Sequence, residues 1–438
     1  MPEACTRRNF LRASGAAAVG IGLSACVLGG EGAAPPSEKV NLGFIGVGPQ
    51  GAGHVRHFLG FPDVRITAIC DVDQKKVDAA VAACQGSATG YRDFRKLLEH
   101  KPLDGVVVAT PPHWHALISV AVCKAGKDLF VEKPMTLTVA ESQAVCRAVR
   151  QNKRISQVGT QIHAGENYRR VVEIVRAGVL GKISAVRTFL TLGATREGIG
   201  RAPDADPPPH LDWEMWVGPA PMRRFNPLIT QGAYHHCSFM DFSGGWLPGM
   251  APHIIDLPVW ALELGLPTRV ASAGGRFVID DIGDEPDLQE TLFQYPNVTM
   301  TWMMNLTNSY GWDYHGTGGR KRRLGIYFHG DKATLHCDYG SFKIIPEDDP
   351  KAEIKLPEPS LPRSQGHYRE WADCIKTRQE PSCNVFYHHK VNVPCCLANL
   401  SLKLGRSVQF DPEAETVIGD KEAAAGLQPV YRKPWTLG

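Results

Sequence analysis

The amino-acid sequence predicts an α/β fold in which an N-terminal, doubly wound parallel sheet precedes a C-terminal domain with a large, mostly antiparallel, open-faced sheet. Uninterrupted apolar runs such as 105–109 alternate with helix-length segments from Val40 to about Thr160, as buried parallel strands require. Beyond Ile183, alternating segments follow one another at hairpin spacing, which is typical of antiparallel strands. Because 438 residues exceed one average domain, we expect separate domains over 39–162 and 163–438.

The same periodicities assign the individual elements in chain order. In the first half, strands are expected over 40–45, 64–70, 105–109, 128–131 and 155–159, and helices over 52–59, 74–83, 91–99, 116–125 and 139–151. In the second half, the expected strands are 183–192, 269–279, 290–302, 323–328, 333–337 and 342–345, and the helices are 168–177, 254–264, 367–376 and 391–404. The tail after Gly405 has weak periodicity and is expected to wrap the surface.

A glycine motif follows the first strand. Gly46, Gly48 and Gly51 form a GxGxxG pattern between the strand and a helix, and Asp71 ends the next strand twenty residues later. This context offers backbone N–H groups and a helix N-terminus to a pyrophosphate, so it predicts a dinucleotide site in a Rossmann domain. The Asp71 carboxylate would accept hydrogen bonds from the ribose hydroxyls and would repel a 2′-phosphate. No arginine that could bind such a phosphate directly follows Asp71. NAD is therefore favoured over NADP.

Two further loops follow strands of the same sheet, where ligands of open α/β sheets bind. The first is Thr110-Pro-Pro-His-Trp-His115, and the second is Glu132-Lys133-Pro134. A partly desolvated lysine beside a nicotinamide can exchange a proton with a substrate hydroxyl. The alternatives are an ordinary turn for the first loop and a surface lysine paired with Glu132 for the second.

The order of these motifs, with Cys70-Asp-Val-Asp73 and the segment 178–182, resembles the Gfo/Idh/MocA oxidoreductase family. The resemblance implies an NAD(P)-binding Rossmann domain over 39–162, and a substrate-binding and oligomerisation domain over 163–438. It also implies sugar or cyclitol substrates, and Lys133 matches the family's catalytic lysine. The expected cofactor-binding residues are Gly46, Gly48, Gln50, Gly51, Asp71, Thr110, Pro112, His115, Glu132 and Lys133.

The chain departs from the family pattern in its second half. Family members commonly have an aspartate four residues before a histidine and another three residues after it; here His253 and Asp256 match, but Gly249 replaces the first aspartate. His253 is a candidate base, and Asp256, one helical turn later, is expected to orient it. The alternative is a structural histidine near the start of a helix, with its hydrogen bonds made within the protein.

Adjacent histidines point apart in helix or strand, so at most one of His235 and His236 is expected to serve the site, and His236 is assigned as catalytic. The expected substrate contacts are Tyr234, His235, Trp213 and Trp246, the alternative for the tryptophans being core aromatics. The alternative for His235, His236, His253 and Asp256 is that they bind a metal ion together. We predict no metal site.

Residues 1–38 read as a targeting segment. The paired Arg7 and Arg8 precede an apolar run at 16–23, which resembles a twin-arginine signal. Leu23-Ser-Ala-Cys26 resembles a lipoprotein cleavage box, with cleavage without lipid as the alternative, and the remaining residues read as a tether. We expect export through the twin-arginine translocase to the periplasm, with membrane attachment only through a lipid on Cys26.

The charge and cysteine content of the sequence indicate which kinds of partner and covalent link to expect. A net charge of +3 argues against nucleic acid and favours a small molecule, and the family implies a homo-oligomer. Of the twelve cysteines, Cys374 with Cys383 and Cys395 with Cys396 are the disulfide candidates nearest in sequence.

Three functions are compatible with these residues. The first is an NAD-dependent oxidoreductase that acts on a hydroxyl of a sugar, glycoside or cyclitol, with Lys133 assisting proton transfer. The alternative is a redox-neutral, NAD-dependent glycoside hydrolase or lyase that works through a transient keto-sugar; predicted export favours it because free NAD is scarce outside the cytoplasm. A non-catalytic sugar-binding protein is the third, and the intact Glu132-Lys133-Pro134 motif argues against it.

Overall fold

A computed structural model describes residues 39–309 and 323–437. The predicted export signal, lipidation box and tether over residues 1–38 lie outside the described residues.

The first sheet has six parallel strands in the order β3-β2-β1-β4-β5-β6. The strands are β1 Val40–Ile45, β2 Val64–Cys70, β3 Thr89–Tyr91, β4 Gly105–Val108, β5 Asp128–Val131 and β6 Ser156–Val158. The helices between them are α1 Pro49–Leu59, α2 Gln74–Ala83, α3 Phe94–Leu98, α4 His115–Lys124 and α5 Val139–Asn152. The predicted doubly wound sheet is confirmed, and its strand order reverses between β1 and β4, which opens a crevice at their carboxyl ends.

The second sheet has nine strands in the order β13-β12-β11-β7-β10-β9-β8-β14-β15, and only the β7–β10 pair is parallel. Its strands are β7 Ile183–Thr191, β8 Arg269–Gly275, β9 Leu288–Gln294, β10 Thr299–Asn305, β11 Leu324–Gly330, β12 Ala333–Cys337, β13 Phe342–Pro346, β14 Val408–Asp411 and β15 Thr416–Val417. The mostly antiparallel sheet is thereby confirmed.

The second half of the chain also contains eight helices within the described residues. They are α6 Glu166–Arg176, α7 Trp213–Val217, α8 Ala233–Cys237, α9 Met240–Ser243, α10 Trp246–Ala261, α11 His367–Thr377, α12 Val385–Leu404 and α13 Lys421–Ala425. Helices α6, α10 and α12 pack with the strands of the nine-stranded sheet in one hydrophobic core.

Several element predictions were wrong at their ends. Helix α10 begins at Trp246 rather than 254, because it is buried along almost its whole length and carries Pro252 and Pro258, which hide its period. The expected strand at 290–302 is the hairpin of β9 and β10. The tail after Gly405 does not simply wrap the surface, since β14 pairs with β8 at the edge of the sheet.

The C-terminal part of the chain also completes the core of the first domain. Trp371 and Ile375 on α11 belong to the same buried cluster as Val107 and Phe130 of the parallel sheet. The division at 162/163 therefore separates the two sheets along the sequence, but the two cores share chain segments.

The ten cysteines within the described residues are free thiols. The candidate pairs Cys374–Cys383 and Cys395–Cys396 are therefore wrong as disulfides; Cys395 and Cys396 are instead buried side by side in sequence on α12. Across the residues that the structure describes, no helix has both the length and the apolar character needed to cross a membrane.

Candidate active site

A cleft lies at the carboxyl ends of the parallel strands, between the first sheet and residues 215–249 of the second half. Of the ten predicted cofactor-binding residues, nine line it: Gly46, Gly48, Gln50, Asp71, Thr110, Pro112, His115, Glu132 and Lys133. Gly51 is the exception, because it lies beneath the loop rather than facing the cleft. The loops after β1, β2, β4 and β5 therefore converge, as an open α/β sheet requires.

The three glycines of the motif have different roles. Gly46 has φ +85°, and a Cβ there would lie 2.6 Å from the Thr110 nitrogen. A Cβ on Gly51 would lie 2.0 Å from the Gly46 carbonyl oxygen, so Gly51 lets α1 pack against the loop. A Cβ on Gly48 would meet no atom within 4 Å, which leaves the cleft open at that point.

Helix α1 presents an uncapped N-terminus to this opening. Gly48 is its N-cap residue, no side chain caps it, and no acidic residue lies in its first turn. Unpaired first-turn N–H groups attract anions. The open position at Gly48 and the uncapped helix fit the diphosphate of a dinucleotide.

Asp71 lies where the ribose of that dinucleotide is expected. Its carboxylate accepts hydrogen bonds from the backbone N–H groups of Val47, at 2.8 Å, and Asp73, at 3.0 Å. Burial raises the pKa of Asp71. No arginine directly follows Asp71, but Arg92, from the loop after β3, also lines this end and donates to the carbonyl oxygens of Val72 and His210.

Glu132 is the centre of a buried network that the sequence did not indicate. Its carboxylate lies 2.9 Å from His54 Nε2, and accepts hydrogen bonds from Gln50 Nε2 at 3.0 Å and the Lys133 N–H at 3.1 Å. Tyr368 Oη lies 2.7 Å from His54 Nδ1. Burial alone would raise the pKa of Glu132, but His54, Lys133 and Gln50 lower it to about 2. Glu132 is thus a fixed negative charge beside the cleft.

Lys133 points across the cleft to the second half of the chain. Its ammonium donates a hydrogen bond to the Gly249 carbonyl oxygen at 3.2 Å. A Cβ on Gly249 would lie 3.9 Å from Cys237 and from Trp246, which is ordinary van der Waals contact, so a methyl group would fit there. A backbone carbonyl therefore occupies the place that the family pattern assigns to an aspartate.

Of the two adjacent histidines, His236 lines the cleft and His235 does not. Burial, followed by the charges of His113 and His115, lowers the pKa of His236 to about 3. The imidazole of His236 is therefore neutral at pH 7 and can accept a hydrogen bond. Tyr234 was expected to contact substrate, but it does not line the cleft and its hydroxyl donates to the Thr195 carbonyl at 3.1 Å.

His253 and Asp256 do not form the expected pair. His253 is buried one turn beyond Gly249, does not line the cleft, and its Nδ1 has no hydrogen-bond partner among the described residues. The Asp256 carboxylate lies 3.0 Å from His163 Nδ1 and accepts a 2.7 Å hydrogen bond from the Tyr387 hydroxyl. The expectation that Asp256 orients His253 was wrong, because helix packing turns Asp256 towards α12.

The two candidate tryptophans also differ. Trp246 lines the cleft, whereas Trp213 is buried and stacks on Trp216 with ring centroids 4.9 Å apart. Trp213 is therefore a core aromatic, which corrects its assignment as a substrate contact.

His115, although it lines the cleft, has Nδ1 and Nε2 only 2.7 and 2.8 Å from the carbonyl oxygens of Pro134 and Thr110. It therefore joins the 110–115 loop to the 132–134 loop that carries Lys133.

The metal cluster considered for His235, His236, His253 and Asp256 is not formed. Within the described residues, the group with metal-ligand spacing is His163, Asp256 and Cys383, whose ligand atoms lie within 4.8 Å of one another. This group is buried and does not line the cleft, and Asp256 is already hydrogen-bonded to His163 and Tyr387.

Two family patterns match most of the chain. The pattern of an oxidoreductase family with an NAD-binding Rossmann fold matches residues 40–160, and that family's C-terminal α/β domain matches 166–268 and 283–437. A glycosyl hydrolase family 109 protein of Shewanella pealeana is 32% identical over 203 residues, which are 40% of this chain and 44% of that protein. The match thus spans less than half the length of that relative.

Two solved structures resemble the fold, each at 17% identity. GenD2 from gentamicin A biosynthesis, in complex with NAD, has a TM-score of 0.62 and covers 87% of this chain and 100% of its own. An aldose-aldose oxidoreductase from Caulobacter crescentus has a TM-score of 0.61 and covers 85% of this chain and 100% of its own. At this identity the likeness concerns the fold alone.

Proposed function

We propose an activity for this chain from its family: it belongs to the Gfo/Idh/MocA family of NAD-binding oxidoreductases. The family match confirms NAD as the predicted cofactor, and the glycine loop fits it. We infer that the protein is an NAD-dependent oxidoreductase acting on a hydroxyl of a sugar, glycoside or cyclitol. The observation that carries this proposal is that Lys133 and the neutral His236 line the same cleft as the open glycine loop.

The cofactor would be held by residues of the first domain. The first-turn amides after Gly48 suit its diphosphate, and Asp71 suits its adenosine ribose. When bound, NAD supplies a hydride acceptor for a carbinol carbon and can return that hydride.

Residues of the cleft act on the proton of the substrate hydroxyl. Lys133 carries an ammonium that can stabilise a developing alkoxide and exchange its proton with a hydroxyl. His236 is neutral at pH 7, so its imidazole can accept a hydrogen bond from that hydroxyl and orient it towards Lys133. Glu132 keeps its charge and fixes the Lys133 backbone, which orients the lysine towards the cleft.

A redox-neutral glycoside hydrolase or lyase is the second candidate. The relative that is 32% identical over part of its length is named as a glycosyl hydrolase, which favours this reaction. In it, oxidation of one carbinol acidifies the neighbouring C–H, and loss of that proton expels the glycosidic group and leaves a C=C bond. In a hydrolase, water then adds to that bond, and in both enzymes the hydride finally returns to the carbonyl. Lys133 and His236 would serve both half-reactions because both steps move a hydroxyl proton.

One experiment separates these candidates. The purified protein is incubated with a panel of neutral, acidic and N-acetylated glycosides without added NAD, while free sugar and the absorbance of reduced nicotinamide are followed. Reduced cofactor with a keto-sugar supports the oxidoreductase, and sugar release without net reduced cofactor supports the redox-neutral enzyme. Lys133→Ala is the matched control. If NAD binds but no glycoside in the panel reacts, both proposals fail, and sugar affinity measured by calorimetry then tests the sugar-binding alternative.

We also propose that the protein is exported. The twin-arginine pattern and cleavage box in residues 1–38 support a periplasmic location and a lipid on Cys26. Cell fractionation with Arg7→Lys/Arg8→Lys as the control, and fatty-acid labelling of Cys26→Ala against the native chain, test the two parts. Periplasmic recovery of the doubly substituted chain would contradict export by this pathway.

A homo-oligomer is proposed from the family resemblance. The mass of the purified protein by light scattering tests it, and a monomer at micromolar concentration would contradict it.

A further inference from the structure

The adenosine end of the cleft is crossed by a segment from the second half of the chain. Leu211 pairs as an antiparallel bridge with Asp73. The Asp212 N–H donates to the Val72 carbonyl at 3.0 Å, and the Gln74 N–H donates to the His210 carbonyl at 2.9 Å. The residues just beyond Asp71 are thus joined by backbone hydrogen bonds to a segment that lies more than 130 residues later.

The imidazole of His210 adds a side-chain contact at the same place. His210 Nδ1 lies 2.9 Å from the Asp73 carboxylate. Arg92 donates to the carbonyl oxygens of both Val72 and His210. This end of the cleft is therefore bounded by the first domain on one side and by the crossing segment on the other.

The crossing segment continues into α7, which is fastened to the loop after β4. Trp114 Nε1 lies 3.1 Å from the carbonyl oxygens of both Met215 and Trp216. A Cβ on Gly218 would lie 2.1 Å from the Trp114 ring, so the two segments are in direct contact. Met215 and Trp216 line the cleft together with Asp71. They form its outer wall.

The C-terminal tail holds this wall from outside. The Arg432 backbone N–H donates to the Pro219 carbonyl at 2.8 Å, and its Nε donates to the Gly218 carbonyl at 3.0 Å. Its guanidinium also pairs with Glu214. Trp435 meets the Trp114 ring edge-on, with centroids 4.7 Å apart. The tail therefore contacts both the outer wall and the 110–115 loop.

We propose that residues 210–218 and 431–435, here called the belt, enclose the adenosine half of NAD and make it a retained prosthetic group. This inference rests on the proposed function, because it assumes that NAD binds in the cleft. A dinucleotide whose adenosine end is covered can leave only after the backbone pairing at Asp73 or the tail contacts open. Its release then requires a local unfolding event, so exchange of the bound cofactor is slow.

Retention restricts the reaction that the site can repeat. A hydride taken from one carbinol carbon cannot leave with the cofactor, so it must be returned to a carbonyl in the same cleft. The acceptor is either the same sugar after the glycosidic group has left or a second sugar whose carbonyl is reduced to an alcohol. The proton lost by the first hydroxyl re-enters at the second oxygen through Lys133, so no external oxidant is needed.

The test measures cofactor exchange directly. The full chain is purified without added NAD, its NAD content is determined by extraction and mass spectrometry, and isotope-labelled NAD is then added in excess. We expect close to one NAD per chain and an exchange half-time far longer than that of a freely dissociating cofactor. Arg432→Ala and Trp435→Ala should each shorten the half-time by ~10-fold or more, since affinity changes act mainly through dissociation.

Arg406→Ala is the matched control, because it removes exposed ion pairs with Asp420 and Glu422 in the same part of the chain but outside the belt. Trp435→Phe keeps the ring contact and should stay near the native rate. Circular dichroism confirms that each variant is folded, and His210→Ala tests the other end of the belt if a tail variant does not fold.

The outcomes separate the belt from the proposed function. Fast exchange in the native chain, or native exchange rates in all three belt variants, would overturn the belt. If the chain binds no NAD at any added concentration, the proposed function fails instead.

Discussion

The two ends of the cleft are built differently. At the cofactor end, Glu132 has three nitrogen neighbours within hydrogen-bonding distance, and Asp71 accepts two backbone hydrogen bonds. At the substrate end, Trp246 Nε1 has no partner among the described residues, and a methyl group at Gly249 would make only ordinary van der Waals contacts. A prearranged network suits one cofactor held in one position, whereas an unpaired N–H group suits a ligand that brings its own hydroxyls.

Removing Lys133 should have the largest effect, because this residue spans both ends. We expect Lys133→Ala to lower kcat/KM by ~10³-fold or more, since a positioned proton donor contributes 10²–10⁴-fold. NAD affinity, measured by calorimetry, should change only a few-fold. Lys351→Ala, at an exposed turn, is the control. If Lys133→Ala kept most of the activity, the proposed role of Lys133 in proton transfer would be wrong.

Two glycines of the same motif should separate packing from binding. Gly51→Ala places a methyl group against the Gly46 carbonyl and should destabilise the protein by about 3 kcal/mol, seen as a lower Tm. Gly48→Ala has room and a φ of −61° that alanine adopts, so Tm should hold while NAD affinity falls. Equal effects of both substitutions on Tm would contradict this division.

The Glu132 network predicts how stability depends on pH. The pKa of Glu132 is lowered from 4.5 to about 2, so its contribution is present above pH 4.5 and is lost as the pH falls towards 2. The full loss corresponds to about 3 kcal/mol. Denaturant unfolding between pH 5 and pH 2 should therefore show a smaller pH dependence for Glu132→Gln than for the native chain. Parallel curves for the two proteins would mean that another group dominates.

At the substrate end, His236 should give a smaller effect with a distinct pH signature. His236→Asn should lower kcat by ~10²-fold, the loss expected when a reacting hydroxyl is misoriented. The pKa of about 3, set by burial and by His113, His115 and Lys133, means that the native enzyme loses no activity through His236 as the pH falls through 6.5. An acid limb near pH 6.5 that disappears in His236→Asn would show that the imidazole titrates there instead.

The sequence was a good guide wherever a function depends on neighbouring residues in one strand–loop unit. The glycine loop, Asp71 and Glu132-Lys133 were all found because the carboxyl ends of parallel strands meet at one edge. The His54–Glu132–Tyr368 network was missed, since its members are up to 314 residues apart and carry no common period. Arg92 was missed for a local reason: the sequence predicts a helix over 91–99, whereas the short strand β3 ends at Tyr91 and Arg92 follows it in a loop.

The pairing of His253 with Asp256 failed because a spacing of three on a helix places two residues on one face without deciding what each one meets. Their environments were set by α12 and by Tyr387, whose position depends on how the two domains share their cores.

By itself, the sequence determined the family, the two kinds of sheet and the cofactor loops, because apolar periodicity and short motifs are local properties of the chain. Only the tertiary structure decided which histidine faces Lys133, what replaces the missing carboxylate at Gly249, and where the tail lies. Those contacts join residues far apart in the chain, and packing of complete helices and sheets is what brings such residues together.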